Sequence, residues 1–169
     1  MRNLEIKAYC SDLKRAENIA LSMGAIKKWE HEQIDTYYKV QKGKLKLRQV
    51  NGESAQLIFY ERTPIKESKI SNYSIFYSSN SEDLSQMLAN FLEIDLIVSK
   101  TRTLYMWQNV RIHLDRVKNL GTFIEFEAVL DNEKNISISQ DRIQFLINLF
   151  SIYNSELISD GYYELLGGK

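Results

Sequence analysis

Val110-Arg111-Ile112-His113-Leu114-Asp115-Arg116-Val117 is followed, across Lys118-Asn119-Leu120-Gly121, by Thr122-Phe123-Ile124-Glu125-Phe126-Glu127-Ala128-Val129-Leu130. Val110 to Asp115 and Ile124 to Glu127 alternate between apolar and polar residues, the period of a β-strand with two unlike faces. Residues two apart share a face, so Arg111, His113 and Asp115 oppose Ile112 and Leu114. In the second run Glu125 and Glu127 oppose Ile124 and Phe126. With Asn119-Leu120-Gly121 as a turn between them, the two read as an antiparallel hairpin with one apolar and one charged face.

The same grammar recurs outward in both directions. Strands are predicted at Asn3 to Cys10, Thr36 to Val40, Lys44 to Val50, Ala55 to Arg62, Lys69 to Tyr77 and Ile97 to Trp107. Turn residues at Gln41-Lys42-Gly43, Asn51-Gly52 and Gln108-Asn109 join neighbours as hairpins. Three segments carry helical spacing instead: Ser11 to Met23, Ser81 to Glu93 and Ser139 to Tyr153. Leu84, Met87, Leu88 and Phe91 form one apolar stripe, and Ile143, Leu146, Ile147 and Phe150 form another. The order β-α-β-β-β-β-α-β-β-β-α predicts an α+β fold, a closed eight-stranded antiparallel β-barrel with helices packed on its outside.

Composition bounds the rest. The chain has 169 residues, 44% hydrophobic, with 22 Lys and Arg against 22 Asp and Glu, which suits one neutral globular domain over residues 1–169. Zero net charge argues against a nucleic-acid partner. Without an eighteen-residue apolar run or a signal-like start, the expectation is no membrane partner and a cytoplasmic location. Cys10 has no partner cysteine and is expected to be buried and inert. A homodimer is left open.

The charged faces become informative once the strands are combined. A solvated face is the ordinary reading for any one strand. If the helices cover the apolar face of a sheet that curls closed, the charged face lines the barrel. That lining would hold Lys7, Lys44, Lys46, Arg48, Arg62, Lys69, Lys100, Arg102 and Arg111, against Glu5, Asp115, Glu125 and Glu127. Two like charges ~7 Å apart at an effective dielectric of ~20 repel by roughly 2 kcal/mol, so such a lining is costly unless an anion offsets it. A polyphosphate accepts several Lys and Arg donors at once. Glu5, Glu125 and Glu127 supply hard oxygen ligands for Mg²⁺ or Mn²⁺. His113 is expected as an ordinary hydrogen-bonding residue on the charged face, His31 at the surface, and Trp29 and Trp107 in core or rim packing.

Asn3-Leu4-Glu5-Ile6-Lys7, Gln33-Ile34-Asp35-Thr36-Tyr37-Tyr38, Gly43-Lys44-Leu45-Lys46-Leu47-Arg48, Lys100-Thr101-Arg102-Thr103-Leu104-Tyr105, the hairpin above and Gly161-Tyr162-Tyr163-Glu164-Leu165-Leu166 occur in a fixed order along almost the whole chain. Together they resemble the CYTH superfamily of triphosphate tunnel enzymes, which includes class IV adenylyl cyclases and thiamine triphosphatases. The resemblance implies a tunnel in which Lys7, Lys46, Arg48, Lys100 and Arg102 contact phosphate and Glu5, Glu125 and Glu127 hold Mg²⁺ or Mn²⁺. It places Asp115 beside the metal site and makes Lys7 and Asp115 the catalytic candidates. Arg62 fits less well, because the family commonly has lysine directly after an aromatic and this chain reads Tyr60-Glu61-Arg62. Asn3 stands where the Glu-x-Glu-x-Lys signature has its first glutamate, so one metal ligand loses its charge.

The implied activity is a metal-dependent reaction on a triphosphate, closest to conversion of ATP to cAMP and pyrophosphate. Hydrolysis of inorganic, nucleoside or thiamine triphosphate is the alternative, and polyphosphate binding without turnover is the second. The partner in each case is a small molecule such as ATP, inorganic triphosphate or thiamine triphosphate.

Overall fold

The computed structural model describes residues 2–52, 54–63, 69–130 and 136–168. The chain runs β1 (Arg2–Tyr9), α1 (Leu13–Ser22), β2 (Ile26–Tyr38), β3 (Lys44–Val50), β4 (Ser54–Thr63), β5 (Lys69–Ser78), α2 (Ser81–Phe91) and β6 (Ile94–Trp107). It continues with β7 (Val110–Val117), β8 (Gly121–Leu130), α3 (Ile136–Leu149), a 3-10 turn (Asn154–Glu156), β9 (Leu157–Ile158) and α4 (Tyr162–Leu165). The fold is α+β, with one antiparallel sheet in the order β5-β4-β3-β2-β6-β7-β8-β1-β9. β1 also pairs with β5, at Leu4 with Ile70 and Glu5 with Lys69. No helix among the described residues is long and apolar enough to cross a membrane.

Strands β3, β4, β5, β7 and β8 fall where alternation predicts them, within a residue or two at their ends. β2 begins ten residues before the predicted Thr36, at Ile26, and β6 three residues before the predicted Ile97, at Ile94. The reason is visible in β2, where Ile26 to Glu32 is mostly exposed while Gln33 to Tyr38 is mostly buried, so its first half lacks the half-buried pattern that marks a strand in sequence. The two strands support each other along their whole length, from Ile26 opposite Met106 to Tyr38 opposite Ile94. β9 and α4 are too short to carry a period and have no counterpart in the sequence reading.

The apolar face of β1, β7 and β8 packs under α1 and α3. Ile112, Leu114, Ile124, Phe126 and Ala128 meet Ala16, Ala20, Ile143, Leu146 and Phe150. Alanines at positions 16 and 20, four apart on α1, let that helix lie close against the sheet. Asp12 caps α1 by accepting the Arg15 N–H at 2.9 Å. A second cluster puts Leu84 and Leu88 of α2 against Leu47 and Ala55. The predicted α2 stripe is narrower than expected, because Met87 is 52% exposed and Phe91 81%. Cys10 is half-buried beside the larger core rather than fully inside it. Burial pushes its thiol pKa up, which keeps it protonated and inert.

Gly43 makes the turn into β3 possible. Its φ is +66°, and a Cβ there would stand 2.8 Å from the Phe59 ring and 2.9 Å from the Tyr60 carbonyl oxygen. Gly43→Ala is expected to cost about 1–3 kcal/mol through left-handed strain and the clash. A urea titration of both proteins would show it, and a loss under about 0.5 kcal/mol would mean that the turn relaxes freely.

Candidate functional site

Alternate residues of the strands converge on one cavity of about 440 Å³, odd-numbered from β1, β2, β5, β7 and β8 and even-numbered from β3, β4 and β6. Lys46 and Arg48 enter it from β3, Lys100 and Arg102 from β6, Asn3, Glu5 and Lys7 from β1, Arg111 and His113 from β7, and Glu125 and Glu127 from β8. Strand register decides which of these meet. Asp35 stands opposite Arg48, Arg102 opposite Asp115, His113 opposite Glu125, and Arg111 opposite Glu127.

One half of the cavity is organised by Asp35, whose side chain is almost wholly buried. Its Oδ1 accepts from Arg48 Nε at 2.7 Å, and its Oδ2 accepts from Arg48 Nη2 at 2.8 Å, Lys46 Nζ at 3.0 Å and Lys100 Nζ at 3.0 Å. Burial alone would raise the Asp35 pKa, but Arg48, Lys100 and Lys46 hold it well below the usual carboxylate range. The lysines show the opposite balance. Desolvation and the neighbouring Arg48 guanidinium bring Lys46 down to about 8 and Lys100 well below its ordinary value. Three buried cations on one carboxylate are thus held close together and only partly neutralised.

That balance sets a pH dependence. Lys46, depressed to about 8 in the fold against 10.5 for a free lysine, is largely neutral by pH 9 while an unfolded lysine remains charged. Its charged form therefore costs stability below about pH 8, and that cost disappears as pH rises toward 10.5. A bound anion favours the ammonium, so inorganic triphosphate affinity should fall about tenfold between pH 7 and pH 9. Calorimetry in two buffers of different ionisation enthalpy checks this through proton uptake at pH 9, and Lys46→Gln should flatten the profile.

In the other half, Arg102 forms a fork on Asp115, with Nε to Oδ1 at 2.7 Å and Nη2 to Oδ2 at 2.5 Å, and also donates to Glu125 Oε2 at 3.2 Å. The Tyr162 hydroxyl of α4 donates to Asp115 Oδ2 at 2.6 Å. Lys7 Nζ stands 3.6 Å from Glu125 Oε2 and 4.1 Å above the Tyr162 ring, so α4 closes the cavity wall beneath Lys7. Glu127 faces His113 Nε2 at 2.9 Å through Oε2, while its Oε1 accepts from Arg111 at 3.2 Å and from Asn3 Nδ2. Burial would raise both glutamates, yet Arg102 and Lys7 hold Glu125 well down and His113 and Arg111 lower Glu127.

Two sequence expectations change here. Lys44 shares the face of Lys46 but does not line the cavity; it is held away by Glu164 of α4 at 2.7 Å and lies 3.7 Å over the Tyr163 ring. Asp115 lies behind the wall, fully buried against Arg102, and so acts on the cavity by positioning that guanidinium. Among the described side chains the lining keeps the expected excess of cations, with Asp35 in place of Asp115. Six cations, Lys7, Lys46, Arg48, Lys100, Arg102 and Arg111, face four carboxylates, Glu5, Asp35, Glu125 and Glu127, among the described side chains. The side chains of Arg62 and Lys69 lie outside the described residues.

Asp35, Gln33 and Tyr162 line the cavity and were not singled out as site residues from sequence. Extending the alternation back from Thr36 would have put Asp35 on the face of Tyr37, and nothing local marks Tyr162. His31 is half-buried, stacked on Trp29 with ring centroids 4.3 Å apart.

The sequence profile of the CYTH domain matches residues 1–162. This chain belongs to the CYTH family. No curated protein matches the CYTH chain significantly by sequence. Among solved structures it is similar to the PH1012 protein from Pyrococcus horikoshii, with TM-score 0.84 and 19% identity over 96% of this chain and 98% of that one. It is similar to a candidate adenylate cyclase from Vibrio parahaemolyticus, with TM-score 0.83 and 18% identity over 98% of both chains. HpAC1 from Hippeastrum, a candidate adenylyl cyclase described as having a dominant triphosphatase activity, gives TM-score 0.70 and 12% identity over 99% and 96%. At these identities the similarities are similarities of CYTH fold.

Proposed function

We propose that this CYTH domain is a metal-dependent enzyme acting on a triphosphate, with adenylyl cyclase chemistry as its reaction. The observation that carries the reading is the arrangement of Lys46, Arg48, Lys100 and Arg102, buried side by side on one wall and facing a His113, Glu125 and Glu127 group across the same cavity. A triphosphate offers each cation an anionic oxygen and relieves their mutual repulsion. Two strand-register pairs between β1 and β5 support a sheet curled into a tunnel around that anion.

The donor set fits a divalent cation. One atom from each of His113, Glu125 and Glu127 lies within 4.8 Å of the others, and Glu5 lines the same cavity in register with Glu127. A Mg²⁺ or Mn²⁺ ion held there would supply Lewis acidity at the reacting phosphate. The chain does the remaining work. Neutralising Glu125 and Glu127 frees Lys7 and Arg111, now paired to them, to turn toward the anion. Lys46, Arg48 and Lys100 hold the outer phosphates, and Arg102, oriented by Asp115, meets charge developing on the bridging oxygens.

In the cyclase the 3′-hydroxyl oxygen bonds to the α-phosphorus, the bond from that phosphorus to the pyrophosphate oxygen breaks, and the hydroxyl proton passes to a base. Lys7 is the lining amine that would take it. The dominant triphosphatase activity described for HpAC1 favours a second reading, in which the same grip presents a terminal phosphorus to water. ATP, inorganic triphosphate and thiamine triphosphate, each with Mg²⁺ or Mn²⁺, separate the readings. cAMP with pyrophosphate, lost in Glu127→Ala, supports the cyclase, and orthophosphate supports the hydrolase. Binding with no product from any of the three would make the cavity a polyphosphate-binding site.

A further inference from the structure

We infer that His113 is a nitrogen ligand in this centre, making it a mixed imidazole and carboxylate site that selects a first-row transition ion such as Mn²⁺ or Co²⁺ over Mg²⁺. The inference rests on the metal-dependent reading above and adds to it which ion is held and a further residue that holds it. His113 is 4% exposed, lines the cavity, and brings Nε2 to 2.9 Å from Glu127 Oε2. Its Nδ1 is buried without a hydrogen-bond partner among the described residues, where the Glu127 contact is the ring's one hydrogen bond. A buried imidazole whose ordinary role is structural spends both nitrogens on hydrogen bonds. Here one nitrogen is unspent and the other points at a glutamate of the candidate centre.

The spacing suits a shared ion. Two donors bound to one ion at ~2.1 Å stand about 3 to 4.2 Å apart, and the three donor atoms already lie within 4.8 Å of one another. β-pairing fixes their approach, since His113 faces Glu125 in register and Glu127 follows two residues later on the same face. The first position of the acidic signature is also changed. Asn3 presents a neutral amide whose Nδ2 donates to Glu127 Oε1, so this position adds no negative charge to those of Glu5, Glu125 and Glu127. Mg²⁺ demands hard oxygen ligands and benefits most from charge, whereas Mn²⁺ and Co²⁺ accept imidazole nitrogen readily. Replacing a carboxylate by an amide and adding an imidazole both shift preference the same way.

The test uses the full chain, calorimetric titrations with MgCl₂, MnCl₂ and CoCl₂, and electron spin-echo spectroscopy of the Mn²⁺-loaded protein. The expected result is at least tenfold tighter binding of Co²⁺ and Mn²⁺ than of Mg²⁺, with ¹⁴N modulation on the Mn²⁺ signal. His113→Gln should abolish the modulation and weaken Co²⁺ at least tenfold while changing Mg²⁺ by less than threefold. Equal affinities without ¹⁴N modulation, lost together in Glu127→Ala, would overturn the role of His113 and leave an all-oxygen metal site. No divalent binding, with or without inorganic triphosphate, would overturn the metal-dependent reading itself. If His113→Gln does not fold, the ¹⁴N signal of the wild-type protein decides alone.

Discussion

Asp35→Asn is expected to destabilise the protein by about 3–5 kcal/mol at pH 7, the range for removing one partner from a buried ion cluster. Asp35 is the carboxylate on which Lys46, Arg48 and Lys100 all converge, at 2.7 to 3.0 Å. An amide keeps the shape and accepts a hydrogen bond, but its charge is gone and three buried cations repel without an anion between them. For a chain of this length the loss corresponds to a fall of roughly 10 °C or more in Tm. Two further measurements identify the cause. Raising pH from 7 to 9 should return part of the loss, because Lys46, already down to about 8 beside its carboxylate, becomes neutral more easily without it. Inorganic triphosphate should stabilise the variant more than the wild type, since an anion now supplies the charge that Asp35 supplied. A loss below about 1 kcal/mol, unchanged by pH, would show that the three cations are better solvated than their burial implies.

Arg102→Met should be comparably severe and opposite in its acid response. Arg102 neutralises two buried carboxylates, Asp115 by a fork and Glu125 by a third hydrogen bond. In the wild type, burial would raise both pKa values, but Arg102 holds them down. Their contribution to stability is therefore present above the ordinary carboxylate range and lost as pH falls through the depressed folded values. Without Arg102, burial dominates and both groups bind protons more readily in the fold than in the unfolded chain. The variant should lose about 3–5 kcal/mol at pH 7 and recover part of it as pH falls toward 5, where the wild type gains nothing. Urea titrations at pH 5, 6 and 7 measure this, and parallel pH profiles for the two proteins would refute it. Triphosphate affinity measured at pH 5.5, where the variant is best folded, should still be reduced at least tenfold.

The two variants mark where reading the chain succeeds and where it stops. For β7 and β8, alternation identified the strands, the turn and the face of every residue, because a strand with one buried and one polar face writes its geometry into a period of two. Lys46, Arg48, Lys100, Arg102, Glu125 and Glu127 reach the cavity from the face that parity assigned. Asp35 escaped because the residues before Thr36 are mostly polar on both strand faces, Trp29, His31, Gln33 and Asp35 against Lys28, Glu30 and Glu32, and so leave no apolar period. Lys44 obeys the same parity as Lys46 but is taken by Glu164 on a four-residue helix, an element with no periodicity to read.

The sequence by itself determined the antiparallel strands, the helices that cover them, and which side chains share the polar face. Those follow from spacing along one chain, because burying an apolar face selects a period. Only the tertiary structure decided that six lining cations among the described residues meet four carboxylates, that Asp115 stands behind Arg102, that α4 supplies Tyr162, and that His113 joins Glu125 and Glu127. Those depend on register between strands and on contacts between residues far apart in the chain, where a shift of one residue sends a charge to the other face. No spacing within a single segment encodes them.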